Sequence, residues 1–378
     1  MAHEPGQEEP CQSIGRDLRD VIEERAFAAT LRSVETFGLE ELLDGAGDLE
    51  LDPAGRPVRP LVVVDLDGAD WSLAGRVADR LAAARTPVLL GHATAPLPVA
   101  AAPVLDALTT TLTPDAPGRS WHPGSPGDLD RMAETVASAP LAAITFAGVL
   151  GATSRAEVAD GLVVESLAYS TLLAGPEFWT WRATTPVGAL PPDGDDPVLV
   201  SRTDDHLSVV LNRPQRHNAF GRGVRDALLD ALAIAAHDES LHEVVLTGNG
   251  PSFCSGGDLA EFGSTPDVAA AHLVRLQQSA GLAIHRLRAR LGNRMRVELH
   301  GACIGAGIEV PAFAGRIEAL DGTWFQLPEL GMGLIPGAGG TVSITRRVGR
   351  WRTAHMALTN RPLDLDTALA WGLVDARA

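Results

Sequence analysis

The 378-residue sequence contains no lysine, and all 31 of its basic residues are arginines. Schiff-base catalysis needs a lysine amine. The P-loop motif of nucleotide-binding proteins also needs a lysine, which reaches the bound phosphates. Both kinds of site are therefore excluded.

Cysteine is scarce as well. Cys11, Cys254 and Cys303 are too few and too scattered for a disulfide framework or a zinc site, so we expect no metal. Three isolated thiols are typical of a reducing compartment. Residues 1–9 are acidic and lack the basic and apolar regions of a signal peptide. We therefore expect a cytoplasmic protein.

Long apolar runs and excess positive charge are also missing. No apolar run approaches the ~20 residues that span a bilayer. The formal net charge is −17, whereas a protein that binds nucleic-acid phosphates needs a basic face. We expect neither a membrane nor a nucleic-acid partner. A composition of 45% hydrophobic and 21% charged residues is typical of a soluble globular protein, and the length favours two domains.

The first half of the chain shows weak but readable patterns. We expect residues 1–57 to be a partly helical extension, with a possible helix near 14–37. Strands at 61–66 and 87–91, with a helix at 73–85 between them, form one β-α-β unit.

Helices are then predicted at 129–139 and 158–173, separated by an apolar segment at 141–150. Residues 183–197 contain four prolines and an Asp-Gly-Asp-Asp run, which indicates a linker.

Strands and helices alternate more clearly beyond the linker. Strands are predicted at 206–211, 243–247 and 297–300. An amphipathic helix at 224–237 and a long helix at 267–290 accompany them. This alternation indicates an α/β layered fold.

Two glycine-rich turns follow strands in this half. They are Ser252-Phe-Cys-Ser-Gly-Gly-Asp-Leu259 and Gly301-Ala-Cys-Ile-Gly-Ala-Gly-Ile-Glu309. Glycine lets a substrate approach the backbone closely. Two facing turns could each direct one N–H group at a single oxygen, forming an oxyanion hole in which one donor contributes ~3 kcal/mol.

Two glutamates lie in these apolar surroundings. Glu309 ends the second turn, and Glu329 lies in Leu327-Pro-Glu-Leu-Gly-Met-Gly-Leu-Ile-Pro-Gly-Ala-Gly-Gly-Thr341. Burying an unpaired carboxylate costs free energy, and desolvation raises its pKa toward the range useful for proton transfer. Two such groups beside an oxyanion hole favour acid–base chemistry next to a carbonyl.

These segments, together with Asn212-Arg-Pro-Gln-Arg-His-Asn-Ala-Phe220, resemble the crotonase (enoyl-CoA hydratase/isomerase) superfamily. The four segments occur in the family's order between about Leu207 and Val374. The resemblance implies a crotonase-like α/β fold for residues 198–378, a superhelical spiral of repeated β-β-α turns with surrounding helices. It also implies an acyl-CoA substrate and no cofactor apart from the CoA of that substrate.

The resemblance also implies roles for individual residues. The backbone amides of Gly257 and Ala306 would hold the thioester oxygen, and Glu309 and Glu329 would flank the Cα–Cβ bond. The acyl group would lie along residues 263–278. Binding of CoA and substrate would involve Arg213, Arg216, Asn218, Ala219, Ser255, Asp258, Leu259, Ala260 and Gly305.

Two local departures bear on Glu309. Pro311 lies just inside the helix that follows it, and Gly315 replaces an aspartate that is usual near the end of that helix.

In crotonase family members, several helices follow the segment that matches residues 370–375. An earlier part of this chain is similar to those helices. Residues 129–141 and 165–178 resemble those helices. We therefore expect residues 58–182 to be a degenerate crotonase-like α/β domain whose helices fold over residues 200–378, in the same chain or a neighbouring one. A trimer or hexamer is expected by the same resemblance.

Hydration or dehydration of an enoyl-CoA is the expected activity, because both glutamates are present. Three alternatives stay open within the superfamily: an isomerase, a C–C bond hydrolase and a cofactor-free dioxygenase. The last alternative is a non-catalytic CoA-binding subunit.

Overall fold

The computed structural model describes residues 35–186, 188, 196–265 and 267–378. Cys11, most of the expected linker and residues 14–34 of the possible first helix lie outside these described residues. The end of that possible helix is wrong, because Thr36–Phe37 form a strand that pairs with a buried neighbour.

A four-stranded parallel sheet organises the first part of the chain. Its strands, in spatial order, are β1 (Thr36–Phe37), β2 (Leu61–Asp65), β3 (Val88–His92) and β4 (Thr110–Leu112). They are accompanied by α1 (Leu39–Leu43), α2 (Ala74–Ala83) and α3 (Ala102–Ala107). The β-α-β unit predicted from the sequence is present as β2–α2–β3.

Four helices follow this sheet: α4 (Asp128–Ser138), α5 (Pro140–Thr153), α6 (Val158–Leu173) and α7 (Pro176–Thr184). The predicted apolar segment at 141–150 is thus the body of α5. Its residues are apolar all round, as expected for a buried helix. No single helix in the described part of the chain is long and apolar enough to cross a membrane. Two consecutive pairs reach that length but bend by 110° and 61° at their junctions.

A six-stranded sheet organises the second part. It contains β5 (Val198–Thr203), β6 (His206–Leu211), β7 (Glu243–Gly248), β8 (Met295–Leu299), β10 (Arg316–Ala319) and β13 (Ala376–Arg377). β5 and β6 form an antiparallel hairpin, and the other pairings are parallel. A smaller sheet contains β9 (Ala302–Ile304), β11 (Trp324–Gln326) and β12 (Leu363–Asp364).

The helices of this part are α8 (Arg222–His237), α9 (Val268–Gln277), α10 (Ala280–Leu291), α11 (Ala306–Glu309), α12 (Gly340–Val348), α13 (Arg350–Thr359) and α14 (Leu365–Trp371). The long helix predicted at 267–290 is wrong, because it is two helices. The Ser279 side chain accepts a hydrogen bond from the Leu282 amide and so caps the start of α10.

One hydrophobic core runs through both parts of the chain. Phe146, Leu162 and Phe178 from α5–α7 belong to the same buried cluster as Leu246 and Val342. Polar contacts reinforce this packing: the Thr153 hydroxyl donates to the Thr341 carbonyl at 2.8 Å. The helices before the linker therefore cover residues 200–378 within the same chain. A second cluster fills the other side of the four-stranded sheet.

Candidate functional site

The two glycine turns lie side by side. Cys254 in the first turn and Cys303 in β9 form a parallel bridge. The Cys254 amide donates to the Ala302 carbonyl at 3.3 Å, and the Ile304 amide donates to the Cys254 carbonyl at 3.1 Å. This bridge brings together the two turns that the sequence placed fifty residues apart.

Gly257 and Ala306 line one cavity of about 250 Å³. Gly257 pairs with Phe220 in a bridge that engages the Gly256 carbonyl and the Asp258 amide, not the Gly257 amide. Ala306 is the first residue of α11, where a helix amide has no intrahelical partner. Within the described residues, no acceptor is hydrogen-bonded to either amide. Neither N–H group is thus committed to a backbone acceptor in the described part of the chain.

Glu309 lies at the end of α11 and is buried. Its Oε2 atom accepts hydrogen bonds from the amides of Ala338 (2.8 Å) and Gly340 (2.9 Å). Burial raises the pKa of this carboxyl to about 7, and the two amides offset part of the rise. Glu309 can therefore change its charge near neutral pH.

Glu329 begins the short 3₁₀ turn Glu329–Met332 and is also buried. Within the described part of the chain, its Oε2 atom has no hydrogen-bond partner. Burial, with a further contribution from the Glu309 carboxylate, raises the pKa of Glu329 well above its usual range. Glu329 is thus the stronger candidate for a protonated acid.

Gly305 connects β9 to α11 and has a positive φ of 48°. A Cβ atom at this position would lie 2.5 Å from the Glu329 Oε1 atom and 3.7 Å from the Glu309 Oε1 atom. Glycine is needed here both for the backbone conformation and for the space that the carboxyl groups occupy.

The sequence analysis missed a third buried carboxylate, Glu165, on α6. Its oxygens accept from the amides of Gly339 (2.8 Å) and Thr341 (3.0 Å) and from the Thr341 hydroxyl (2.7 Å). Burial and the neighbouring Glu309 raise the pKa of Glu165 to about 8. The sequence signal was an acidic residue among the mostly apolar residues of a predicted helix that has no clear polar face.

The three glutamates line the same cavity. Carboxyl groups this close titrate together, because ionising one disfavours ionising the next. The remaining wall is mainly apolar and aromatic, with Leu162, Tyr169, Leu173, Phe220, Phe262, Ala271 and Val310. Five residues of the 263–278 stretch expected to line an acyl pocket are in this wall: Gly263, Thr265, Ala271, Arg275 and Gln278.

A second cleft of about 470 Å³ adjoins the first turn. Of the residues expected to bind CoA or substrate, it is lined by Arg216, Ala219, Ser255, Asp258, Leu259 and Ala260. Gly257 and Asp258 line both the cleft and the cavity, so both spaces border the first glycine turn.

The two expected arginines both lie near Asp258, whose side chain is buried. Arg216 Nη2 is 2.8 Å from Asp258 Oδ1, and Arg213 Nη1 is 3.6 Å from Asp258 Oδ2. Asp258 also accepts from the Ala260 amide at 3.2 Å. Asp258 therefore orders the turn and orients the arginines.

Arg213, Asn218 and Gly305 line neither the cavity nor the cleft. The Asn218 side chain is fully buried, and its amide nitrogen donates to the carbonyls of Asn249, Ser252 and Phe253 at 2.9–3.1 Å. Its oxygen accepts from the Arg213 amide at 2.7 Å. Because both polar atoms of this side chain are hydrogen-bonded to backbone groups, Asn218 stabilises the turn without lining either space.

One group of potential metal ligands occurs in the described residues: His122, Asp128 and His355, with ligand atoms within 4.8 Å of one another. Asp128 is already paired with His355 and Arg361 and accepts from the Ser125 amide. None of the three lines the cavity or the cleft.

Comparisons with known proteins bear on the second part of the chain. A family model described as enoyl-CoA hydratase/isomerase matches residues 205–377. The chain is 33% identical over 177 residues to 2,3-dehydroadipyl-CoA hydratase of Escherichia coli, covering 47% of this chain and 67% of that protein. It is 35% identical over 181 residues to a mevalonyl-coenzyme A hydratase of Beauveria bassiana, covering 45% and 62%.

A relative with a different activity is also similar. A trans-2-decenoyl-[acyl-carrier-protein] isomerase of Streptococcus mutans is 31% identical, covering 47% of this chain and 67% of that protein. The solved structure of an enoyl-CoA hydratase of Mycobacterium smegmatis is 30% identical, with a TM-score of 0.43, and covers 48% of this chain and 70% of that one. The chain thus spans about two thirds of the length of these relatives.

Proposed function

The chain belongs to the enoyl-CoA hydratase/isomerase family, and from this premise we propose that it adds water to, or removes it from, an acyl-CoA thioester. The crotonase-like fold expected for the second half is confirmed by this membership. The degenerate crotonase-like character of residues 58–182, and the domain boundaries, stay predictions.

The observation that carries the proposal is the position of Gly257. This residue lines both the cleft and the cavity, and Ala306 lines the same cavity. We place the CoA part of a thioester in the cleft and its acyl part in the cavity. The carbonyl that joins the two parts would then lie beside Gly257. Two available N–H groups there would stabilise the negative oxygen that develops when the thioester becomes an enolate.

We assign different roles to the two glutamates because their surroundings differ. The amides of Ala338 and Gly340 favour an ionised Glu309, which suits a base that orients and deprotonates water at Cβ. Within the described residues, the Glu329 Oε2 atom has no hydrogen-bond partner, and burial raises the pKa of this carboxyl well above its usual range, which suits an acid that delivers a proton to Cα. In the dehydration direction the two roles are exchanged.

The reaction proposed here moves only protons and water, so we propose that no cofactor beyond the substrate's CoA is needed. In the cleft, a guanidinium group has five N–H donors, and the contact of Arg216 with Asp258 uses few of them. We propose that its remaining donors hold a CoA phosphate. Assembly as a homotrimer or hexamer stays a prediction that static light scattering would test.

Isomerisation is the second candidate, because relatives of similar identity are isomerases of a decenoyl-acyl-carrier-protein and of an epoxyphenylacetyl-CoA. An isomerase uses the same oxyanion hole but returns the proton to another carbon. Its product has the mass of its substrate, whereas hydration adds the mass of one water.

The test is to incubate the protein with a panel of enoyl-CoA thioesters. Hydration predicts loss of the conjugated enoyl absorbance together with a product heavier by one water. An unchanged mass with a shifted double bond would support isomerisation instead. Oxygen consumption, or carboxylate release from a diketone, would favour the dioxygenase or hydrolase. Normal thioester binding with no reaction would leave a CoA-binding subunit. Mass spectrometry of thioesters retained on the purified protein would identify the acyl group.

A further inference from the structure

The backbone at 337–341 binds two different glutamates in alternation. The amides of Ala338 and Gly340 donate to Glu309, whereas the amides of Gly339 and Thr341 donate to Glu165. The Thr341 hydroxyl adds a fifth hydrogen bond, also to Glu165. This stretch, which we term the shared strip, is therefore held between two buried carboxylates.

The two carboxylates differ in what they leave free. Both oxygens of Glu165 are engaged, by three donors in total. Among the described residues, Glu309 is held through Oε2 alone, and its Oε1 atom lies on the side of Gly305 and Glu329. Glu165 thus has the contacts of a structural anchor, and Glu309 has those of a group that can still act on a ligand.

We infer that Glu165 is a positioning residue: by holding the Gly339 and Thr341 amides, it fixes the Ala338 and Gly340 amides that orient the Glu309 carboxyl. This inference rests on the proposed function, in which Glu309 acts on water. A misplacement of about 1 Å in such a group can cost about 100-fold in rate.

Glu165 lies outside the residues that the family model matches, 205–377. It is supplied by α6, which is fixed against α9 by hydrogen bonds from Ser166 to the His272 carbonyl and from Ser170 to the Val268 carbonyl. The segment before the linker therefore contributes a side chain to the proposed active site as well as covering it.

A simple stabilising role for Glu165 is the competing explanation, since a carboxylate near the start of a helix such as α12 stabilises that helix. The chain contains a matched control for this role. Glu177 on α7 accepts from the amides of Leu141 and Ala142, at 2.8 and 2.9 Å, near the start of α5. Glu177 lines neither the cavity nor the cleft.

The experiment compares E165Q, E177Q, E309Q and the double variant E165Q/E309Q in the full chain. Glutamine keeps the shape of glutamate but presents an NH₂ group to one backbone amide. For E165Q we expect kcat to fall about 10- to 100-fold with KM changed less than about twofold, and for E177Q an unchanged kcat. In the E309Q background, the E165Q substitution should cost little more, because both changes disable the same unit.

Amide hydrogen exchange provides a readout that does not need turnover. E165Q should speed exchange in the peptide that contains the shared strip, and E177Q should not. An unchanged exchange rate there, or multiplicative losses of kcat in the double variant, would overturn the inference. If the wild-type protein turns over no thioester but E165Q still loosens the strip, the proposed hydration has failed while the anchoring by Glu165 stands.

Discussion

Glu309 and Glu329 meet beside Gly305: a Cβ atom on this glycine would lie 3.7 Å from the Glu309 Oε1 atom and 2.5 Å from the Glu329 Oε1 atom. Gly305 belongs to the same turn as Ala306, which lines the cavity. The proposed acid, base and oxyanion donor are therefore fixed relative to one another by two consecutive residues. This closeness explains why the two carboxyl groups influence each other's ionisation.

Replacing either glutamate should impair the reaction and spare binding. For E309Q and E329Q we expect kcat to fall by about 10²- to 10⁴-fold, the usual contribution of an acid or base. KM should change little, because neither side chain is proposed to hold the CoA. Steady-state kinetics with a reactive enoyl-CoA measures both constants. A variant that keeps nearly all of its kcat would remove that glutamate from the mechanism.

The pH dependence of the reaction should follow the ionisation of the same two groups. Hydration needs an ionised Glu309, so the rate should rise with pH and reach half of its maximum near pH 7, because the pKa of that carboxyl is about 7. Below this pH the rate should fall about tenfold per pH unit. A second limb should lower the rate at higher pH, where Glu329 loses its proton. A rate that is flat from pH 5 to 7 would contradict the role of Glu309.

The wild-type protein should lose stability relative to E329Q as pH rises. Burial raises the pKa of Glu329 in the folded state well above the 4.5 of an exposed glutamate. The folded state therefore keeps a proton that the unfolded state releases, so this contribution to stability is full below pH 4.5 and is lost as pH rises toward the folded pKa. E329Q should gain in unfolding free energy relative to wild type, by at most about 1.4 kcal/mol per pH unit. Denaturation of both proteins at pH 5 and pH 9 measures the difference in their unfolding free energies. The gain of E329Q should be larger at pH 9, and a gain found only at pH 5 would contradict the prediction.

The G305A substitution tests whether the site needs the empty space beside Gly305, and a second glycine-to-alanine substitution controls for the general effect of alanine. In G305A the new methyl group would lie 2.5 Å from the Glu329 Oε1 atom, on a backbone with positive φ. We expect kcat to fall by at least about 100-fold, because the acid is displaced. The control is G223A in α8, where a Cβ atom meets nothing within 4 Å. That variant should keep wild-type kinetics, because its methyl group would enter open space.

The shared core predicts that residues 196–378 do not function alone. Separating them from α5–α7 would expose the apolar surface that Phe146, Leu162 and Phe178 cover. We expect the fragment to aggregate when expressed, and expect co-expression of residues 1–195 to restore solubility. Solubility, light scattering and turnover of the two preparations decide the matter. A soluble, monomeric and fully active fragment would show that the covering helices are dispensable.

The glycine-rich turns could be recognised from the sequence because each is a short motif beside a strand. Gly257, Ala306 and Glu309 lie in these turns and line the cavity, whereas their roles came from the family resemblance and stay predictions. The alternation of strands and helices likewise indicated the α/β class. Such features depend on neighbours within about ten residues, which a sequence displays directly.

Features that depend on distant contacts were missed. Glu165 binds Gly339 and Thr341, more than 170 residues away, and its own neighbours give no sign of that partnership. The break between α9 and α10 was overlooked because apolar periodicity continues through Ser279. α5 was left without an assignment because its periodicity is lost when every face is buried.

Along residues 338–341 of the shared strip, the amides of even-numbered residues bind Glu309 and those of odd-numbered residues bind Glu165, so the contacts depend on the exact number of residues. Inserting or deleting one residue would exchange the two sets of amides, directing toward Glu165 the N–H groups that now hold Glu309. The exchange between the two sides also relies on Gly339, whose φ of 106° suits glycine. The strip is therefore constrained in length as well as in side chains, because a Cβ atom at Gly337, Gly339 or Gly340 would lie 2.4–2.7 Å from a neighbouring side-chain atom. Any related sequence that shares this mechanism must keep the count of residues between Pro336 and α12.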